Sequence, residues 1–420
     1  MMDSSRLRPA QPGGQSLTYH LPAAFLAMAA LFIPIKPAPA NVFLALAMVS
    51  VFVTSTHRAQ LRKTLFSTIG LASLGFFALL VASQLYSSST WADASDYLSK
   101  YARLAYIPFL AAAVLNTRHA LWVLAGFSAG MLLTLLVSYG IAMVPDACGL
   151  LGLKGGGPQW NPTVFKLHIT QNYFMALAAA LWAYVFIALR GNPKARLWAN
   201  TALVFAVLAL LNVLFMVDGR TGWVVVGVLL AYLFHQRFGW KGALAGGAAG
   251  VALMALAVVF VPALQQLFSA AIQEFQVWLE HGVAEGRSGM RLTYYTHAVQ
   301  AIAEKPWFGH GLGGVREALN LSALNDPNFA LNNPHNQYLL FGVQIGLLGL
   351  AAYMAYWGLL FQSASKMHEG RSVPMAFLLT FAVANLFNSF HFDMSEAMLF
   401  VVAGALVCSN RVSNAVQGAS

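Results

Sequence analysis

The sequence has little charge. Asp, Glu, Lys and Arg make up 9% of its 420 residues, whereas an average soluble domain has about 25%. Hydrophobic residues make up 59%, and apolar runs near or above the length that crosses roughly 30 Å of hydrocarbon recur along the chain. Alternating segments of ~10 residues, which are typical of a β-barrel, are absent from the sequence. We therefore predict an all-α fold, a polytopic transmembrane helical bundle.

We expect about twelve spans, nine before a long polar loop and three after it. The first part covers residues 1–262, the loop covers 263–335, and the last part, 336–420, ends in a short tail. The spans are expected near residues 19–34, 40–55, 65–86, 102–116, 119–141, 167–189, 198–217, 222–236, 242–262, 336–361, 373–390 and 392–409.

Basic residues are unevenly distributed between the two predicted sides. With an even number of spans, both termini share a side, which carries 14 of the 24 Lys and Arg residues but only two of the 14 acidic residues. Cytoplasmic segments are enriched in Lys and Arg, so we expect cytoplasmic termini and an outer location for the long loop. The net charge of +10 thus indicates topology and not nucleic-acid binding. The only two cysteines, Cys148 and Cys408, are expected on opposite sides and cannot pair.

The long loop has predicted structure of its own. Residues 264–281 place apolar side chains at i, i+3, i+4 and i+7, which predicts an amphipathic helix on the bilayer surface or over the bundle. Ser288 is a plausible N-cap for a second helix that runs to about Glu304. Pro306 should end that helix, and the glycines that follow it predict a turn.

A histidine lies where the loop enters the tenth span. Pro334 suits the first helical position and Asn333 the cap before it. On that pattern alone, His335 could simply be a surface residue at a helix start.

Three arginines are expected on the same side as His335. Arg220 lies in a short turn between two spans, and Arg287 and Arg291 lie in the loop. Snorkelling of Arg220 and solvation of the other two are the alternative interpretations. Arginines bind phosphate oxygens bidentately, and histidine can take up a proton near neutral pH. Together they suit group transfer from a pyrophosphate to a hydroxyl, and a donor at an outer face without ATP must be pre-activated and lipid-borne.

Motifs for metal-dependent chemistry are missing from the sequence. It has no HExxH or DxD pattern, and the acidic pairs Asp93/Asp96 and Asp393/Glu396 are not specific metal signatures. We therefore expect no metal and no other cofactor.

The entry into the tenth span resembles the O-antigen ligase family, which is similar to O-antigen polymerases and protein O-oligosaccharyltransferases. The family pattern is His, then Asn, Ser or Gln, nine residues, Gly, two residues, and Gly, Thr or Tyr. This sequence has His335, Asn336, Gly346 and Gly349 at those positions.

Two arginines extend the resemblance. Arg220 in GRTG matches an arginine in a short outer turn of the family, and Arg291 matches one that opens a loop helix. Tyr294 stands where the family usually has Trp, and the nearby Arg287 leaves open which loop arginine matters more.

The resemblance implies a GT-C-like glycosyltransferase of lipopolysaccharide biosynthesis in the bacterial inner membrane, with its site facing the periplasm. It would transfer O-antigen from undecaprenyl pyrophosphate to a sugar hydroxyl of lipid A–core, with inversion and without metal or ATP. His335 would be the base, and Arg220 with Arg291 or Arg287 would hold the pyrophosphate. An O-antigen polymerase or protein O-oligosaccharyltransferase stays open. The non-enzyme alternative, a transporter of polyprenyl-linked glycans, is disfavoured because the predicted spans carry almost no charge at mid-depth.

Weaker substrate-binding candidates lie at other outer positions. Lys166, His168 and Gln171 in KLHITQN could bind phosphate or acceptor, or form an interfacial cap. His310 in the glycine-rich turn could help to bind phosphate through backbone N–H groups, although a turn role is the favoured interpretation. Asn336, next to His335, is the last candidate.

Overall fold

A computed structural model describes residues 17–144, 147–150, 157–260, 262–282, 286, 288–321, 333–367 and 372–409. Within these ranges the regular structure is helical throughout, which confirms the all-α prediction. The helices are α1 Leu17–Phe32, α2 Pro37–Ser50, α3 Ser55–Leu65, α4 Thr68–Ala82, α5 Trp91–Tyr101, α6 Ile107–Ala112, α7 Thr117–Met143, α8 Ala147–Leu150, α9 His168–Leu189, α10 Arg196–Leu211, α11 Arg220–Phe260, α12 Pro262–His281, α13 Gly289–Glu304, α14 Val315–Leu321, α15 Gln337–Ser365, α16 Ser372–Ala384 and α17 Met394–Ser409.

Six helical segments of the described chain are long and apolar enough to cross a membrane. A seventh arises if α2 and α3, which meet at a bend of 104°, form one span, and three shorter apolar helices accompany them. A polytopic membrane protein is therefore confirmed, whereas the number of twelve spans stays a prediction.

Helix α11 contains two of the predicted spans. Gly239 has φ 64° and ψ −150°, outside the helical region. A Cβ on Gly250 would lie 2.9 Å from the Cα of Gly227, although residues so far apart on one straight helix would be separated by about 35 Å. The chain therefore folds back at Gly239, and small residues let the two antiparallel halves approach closely.

Helices α1 and α7 pack in parallel. A Cβ on Gly126 would overlap the carbonyl of Ala27, and a Cβ on Gly130 would overlap that of Leu31. The separation in sequence between the two partners is the same in both contacts, so a step of four residues along one helix matches a step of four along the other. The two helices therefore run in the same direction. This is the relation that the alternating topology requires of the first and fifth predicted spans.

The predicted fourth span, 102–116, is wrong as a single helix. Residues 102–106 form a 3₁₀ turn, and only the six residues of α6 continue as α-helix. The segment is preceded by α5, which was predicted as loop and which buries Ala94, Tyr97 and Tyr101. The helical stretch thus begins earlier than the apolar run in the sequence.

The predicted tenth span, 336–361, is also not continuous. Helix α15 has a non-helical residue at Gly346, with φ 65° and ψ −169°. The rings of Phe341 and Tyr353 lie 4.7 Å apart, whereas twelve residues of straight helix would separate them by about 18 Å. The chain therefore reverses at Gly346, and α15 is a hairpin of one short and one long helix.

The loop that follows α13 caps the tip of this hairpin. Each helix end leaves backbone groups without an intrahelical partner. The loop at 306–311 supplies partners for four of these groups. His310 N donates a hydrogen bond to Val343 O at 2.8 Å, and Gly311 N donates to Gln344 O at 2.9 Å. In the other direction, Leu347 N donates to Pro306 O at 2.7 Å, and Leu348 N donates to Trp307 O at 3.3 Å. The glycine-rich turn predicted after Pro306 is thus a docked element that fixes the hairpin.

Candidate functional site

The backbone at His335 is held in an uncommon conformation. Among the described residues other than glycine, only His335 has a positive φ, at 54°. Such conformations cost free energy and persist only where surrounding contacts fix them. Asn333 Oδ1 provides those contacts, because it accepts hydrogen bonds from His335 N at 2.9 Å and from Ser389 Oγ at 2.6 Å. The imidazole is left exposed to solvent.

The N-cap of α15 is Asn336, so the prediction of Asn333 as cap and Pro334 as first helical residue is wrong. Asn336 Oδ1 accepts from Tyr338 N at 3.0 Å and Leu339 N at 3.1 Å. Its Nδ2 donates to the carbonyl of Leu386 at 3.0 Å. The side chain of Asn336 therefore holds the helix start beside His335 and is already engaged at both ends.

Arg220 is the first residue of α11, and it reaches the start of α13. Its Nη1 donates to Ser288 Oγ at 2.5 Å. The next residue, Thr221, accepts a hydrogen bond from Asn388 Nδ2 at 3.0 Å. These contacts join Arg220 both to helix α13 and to the turn between α16 and α17.

Arg291 lies in the first turn of α13, close enough to interact electrostatically with Arg220 and His335. Burial lowers the pKa of Arg291, and the charge of Arg220 lowers it further. An arginine keeps its charge under such shifts. The ion pairs of the described chain involve only Lys100 with Asp96 and His281 with Glu280, so neither arginine has a carboxylate within 4 Å there. Two adjacent positive charges without a carboxylate that close form a site suited to a multivalent anion.

The surroundings of His335 lower the pKa of its imidazole. Desolvation by the surrounding protein, and then the charge of Arg291, lower its pKa below the ordinary 6.5. The imidazole is therefore predominantly unprotonated at neutral pH, and it is open to solvent, so it could take a proton from a bound hydroxyl.

Two tyrosines fasten α13 to the histidine segment. The Tyr294 ring centroid lies 6.1 Å from that of His335. Tyr295 Oη donates to Leu386 O at 3.0 Å and lies 3.5 Å from His335 O. Arg291 thus comes to the site on a helix that is bonded to the same turn as Asn336.

The structure separates the remaining candidates from this cluster or leaves them undescribed. Arg287 lies outside the described residues. His310 is buried, its Nε2 bonds Ala301 O at 2.8 Å, and its backbone N–H is used in the hairpin cap, which gives it a structural role. Gln171 is also buried, and its Oε1 accepts a hydrogen bond from Val164 N at 2.7 Å.

Lys166 forms a second polar cluster. Its Nζ donates to Ser395 Oγ at 2.8 Å, and burial lowers its pKa to about 8 against the opposing charge of buried Glu396. His168 begins α9 close by in the sequence and is half-buried. No contact of the described residues joins Lys166 to the arginine pair.

A buried polar network beneath His335 was missed in the sequence. Gln337 Oε1 accepts from His391 N at 3.1 Å, and Gln337 Nε2 lies 3.4 Å from Tyr101 Oη. Tyr101 Oη in turn donates to Gln344 Oε1 at 3.1 Å. Two glutamines seven residues apart in an otherwise apolar run lie on one helix face, and this spacing could have indicated the network.

Clusters of possible metal ligands were also considered across the described residues. In the part of the chain that the structure describes, no group of three or more His, Cys, Asp or Glu side chains is placed to hold a metal ion.

The fold and the site define a multi-pass helical membrane protein with an arginine pair and an exposed histidine gathered beside a broken helix. Residues 205–354 match the family model described as O-antigen ligase, and this range contains Arg220, Arg291, His335 and Gly346. Residues 205–354 therefore carry a domain of the O-antigen ligase family, as the motifs predicted, and this match supports a general enzyme role of the ligase and polymerase type. No curated protein matches the sequence.

Proposed function

We propose that this protein is an O-antigen ligase, which transfers a glycan from undecaprenyl pyrophosphate to a sugar hydroxyl of lipid A–core with inversion at the anomeric carbon, without metal or ATP. The observation that carries the proposal is the convergence of Arg220, Arg291 and neutral His335, with no acidic group within 4 Å of either arginine among the described residues.

The chemistry follows from these three side chains. Arg220 and Arg291 bind the donor pyrophosphate and stabilise the negative charge that develops as the anomeric C–O bond breaks. The acceptor hydroxyl oxygen attacks the opposite face of that carbon, and His335 takes its proton. Because a sugar hydroxyl is far less acidic than an imidazolium, proton transfer accompanies C–O bond formation instead of preceding it. The products are the extended acceptor and undecaprenyl pyrophosphate.

A groove beside Arg220 suits the donor's isoprenoid tail. Residues of α12, of the segment before Arg220 and of the 157–166 loop line a cavity of about 450 Å³. Leu264, Leu267 and Trp223 are among its walls, and Asp218 lies at the Arg220 end. The isoprene units nearest the pyrophosphate would occupy this groove, with α12 as the wall that the amphipathic pattern predicted.

Short helices place the site in a recess. Helix α16 has 13 residues, which rise about 20 Å, whereas the hydrocarbon core is about 30 Å thick. If α16 begins at the cytoplasmic boundary, as the positive-inside pattern predicts, the turn at 385–393 ends below the periplasmic surface. His335 and Arg220 are tied to this turn, so the donor pyrophosphate would reach the reacting groups by entering the recess from the periplasmic surface.

Reconstitution with two purified lipids tests the proposal. Undecaprenyl-pyrophosphate-linked O-antigen and lipid A–core are incubated with the protein in EDTA without ATP, and the products are separated on a lipopolysaccharide gel. We expect a ladder from the wild type, and a loss of rate of about 10²–10³-fold in Arg220→Ala and Arg291→Ala, by analogy with the loss of one oxyanion-hole donor. His335→Ala should be at least as impaired.

Arg316→Ala is the matched control, since this arginine lies exposed on α14 in the same outer segment. It should keep the wild-type rate. Longer lipid-linked glycans in place of a ladder would identify a polymerase, and a ladder that survives His335→Ala would remove the base assignment.

A further inference from the structure

The cap of helix α13 comes from another helix. Ser288 occupies the predicted cap position, but its side chain makes no capping hydrogen bond and instead accepts one from Arg220. The α13 backbone is held by Glu274 of α12, whose Oε2 accepts from Ser288 N at 2.6 Å and from Gly289 N at 3.1 Å. A carboxylate is well placed there because the amino end of a helix carries partial positive charge. The predicted cap is therefore replaced by a side chain fourteen residues earlier.

The backbone next to this contact is shaped to admit the carboxylate. Gly286 has φ 93°, a conformation that L side chains rarely adopt. A Cβ at this position would overlap the carboxylate of Glu274. The contact thus depends on two residues from different segments, and it can be broken from either side.

Glu274 also lies on the groove-lining face of α12. Leu267 and Ala270 line the groove, and Glu274 follows them at i+7 and i+4, which places all three on the same helix face. The stacked rings of Trp223 and Phe268, at 6.4 Å, connect α12 to the helix that begins with Arg220. One face of α12 therefore contacts both the groove and the start of the helix that carries Arg291.

We propose that Glu274 is a positioning residue that couples occupancy of the groove by the isoprenoid tail to the placement of the two arginines. This inference rests on the proposed function. Glu274 fixes the position of Ser288, whose hydroxyl accepts the hydrogen bond of Arg220. Because Glu274 also holds the first residues of α13, it fixes the position of Arg291. A donor whose tail fills the groove fixes α12, and the arginines then meet the pyrophosphate in a productive arrangement. A donor with a short tail leaves α12 less constrained, and transfer slows.

The test compares donors that carry the same glycan pyrophosphate on a C55 or a C15 isoprenoid. We expect a wild-type kcat at least tenfold higher with the long tail. Glu274→Ala and Gly286→Ala should each lower kcat with the long-tail donor about tenfold and bring the ratio between the two donors close to one. Glu274→Gln keeps an oxygen for the two N–H groups and should recover most of the rate and of the ratio.

Glu280→Ala is the control on the same helix. Its side chain is largely exposed and lies 4.0 Å from that of the neighbouring His281, so the variant should match the wild type in rate and ratio. Thermal unfolding of each variant in detergent, measured alongside, separates impaired folding from impaired positioning. Gly286→Ala displaces the carboxylate of Glu274 without removing it from the protein.

Wild-type kcat and ratio in both Glu274→Ala and Gly286→Ala would overturn the inference. A lower kcat with an unchanged ratio would overturn the coupling to the tail and leave a merely structural contact. A wild type that transfers from neither donor would instead overturn the proposed function, and the inference with it.

Discussion

The substitution Gly346→Ala tests the architecture on which the site depends. Gly346 turns the α15 hairpin at φ 65° and ψ −169°, a region that is essentially restricted to glycine. A Cβ there would overlap the backbone of Trp307 and lie 2.5 Å from Phe308 N, so the loop at 306–311 would have to move away. That movement would break the hydrogen bonds by which the loop caps both helix ends.

The expected loss of stability can be worked from these contacts. Four backbone hydrogen bonds connect the loop to the hairpin, and each contributes about 1 kcal/mol net. Backbone strain at an alanine in this region adds about 1–3 kcal/mol. The unfolding free energy should therefore fall by up to about 5–7 kcal/mol, and less where the loop relaxes and water replaces the lost partners.

Thermal unfolding in detergent micelles, followed by tryptophan fluorescence, measures this loss. Trp307 is 62% exposed on the displaced loop and should report the change in the folded state as well. The matched control is Gly358→Ala in the long arm of the same helix, where a Cβ meets no atom within 4 Å. Alanine should be neutral or slightly stabilising there because of its higher helix propensity. Equal unfolding temperatures for the two variants would refute the hairpin cap.

Three further outcomes follow from the site. Because desolvation and Arg291 lower the pKa of His335, the pH profile of kcat/KM should fall only below pH 6.5, and Arg291→Gln should move that acid limb upward; an unmoved limb would contradict the base assignment. Asn336→Ala should be about 1 kcal/mol less stable in thermal unfolding than Asn336→Ser, because both lose the Nδ2 bond to Leu386 O but only serine keeps an oxygen to cap α15, and equal stability of the two would contradict the cap. Lys166→Met should lower stability by about 1–3 kcal/mol, since it removes the partner of Ser395 and the charge facing buried Glu396, yet leave the donor KM unchanged; a raised KM would return Lys166 to the substrate site.

The two helical hairpins show what hydropathy can and cannot predict. The reversal at Gly239 was predicted because Arg237 and Lys241 interrupt the apolar run around a solvated turn. The reversal at Gly346 has no such signal, because its unpaired backbone groups are capped by the loop at 306–311 and not by water. An apolar run looks the same whether it is straight or folded back when protein atoms, and not charges, surround the turn.

Helix α5 shows the opposite failure. Its polar residues led to a loop prediction, but Tyr97 and Tyr101 are buried, and the neighbouring Asp96 and Lys100 form an ion pair beside them. Lys100 also lies 3.4 Å from the ring centroid of Phe392. A helix with one buried face needs few apolar residues, so hydropathy alone could not identify it.

The family motif at His335, Asn336, Gly346 and Gly349 was recognised from its spacing, but the structural role of each residue became clear only from its contacts. Asn336 caps α15, Gly346 turns the hairpin, and Gly349 leaves room for Ile345 across the turn. Only the side chain of His335 remains exposed, on a backbone held at positive φ. Three of the four motif residues therefore shape the backbone of α15. Together they place the imidazole of His335 beside two arginines that come from distant parts of the chain. Substitutions at Asn336 or Gly346 should accordingly lower activity by displacing His335, and chemical assays alone would not distinguish them from a lost base unless stability is measured in parallel.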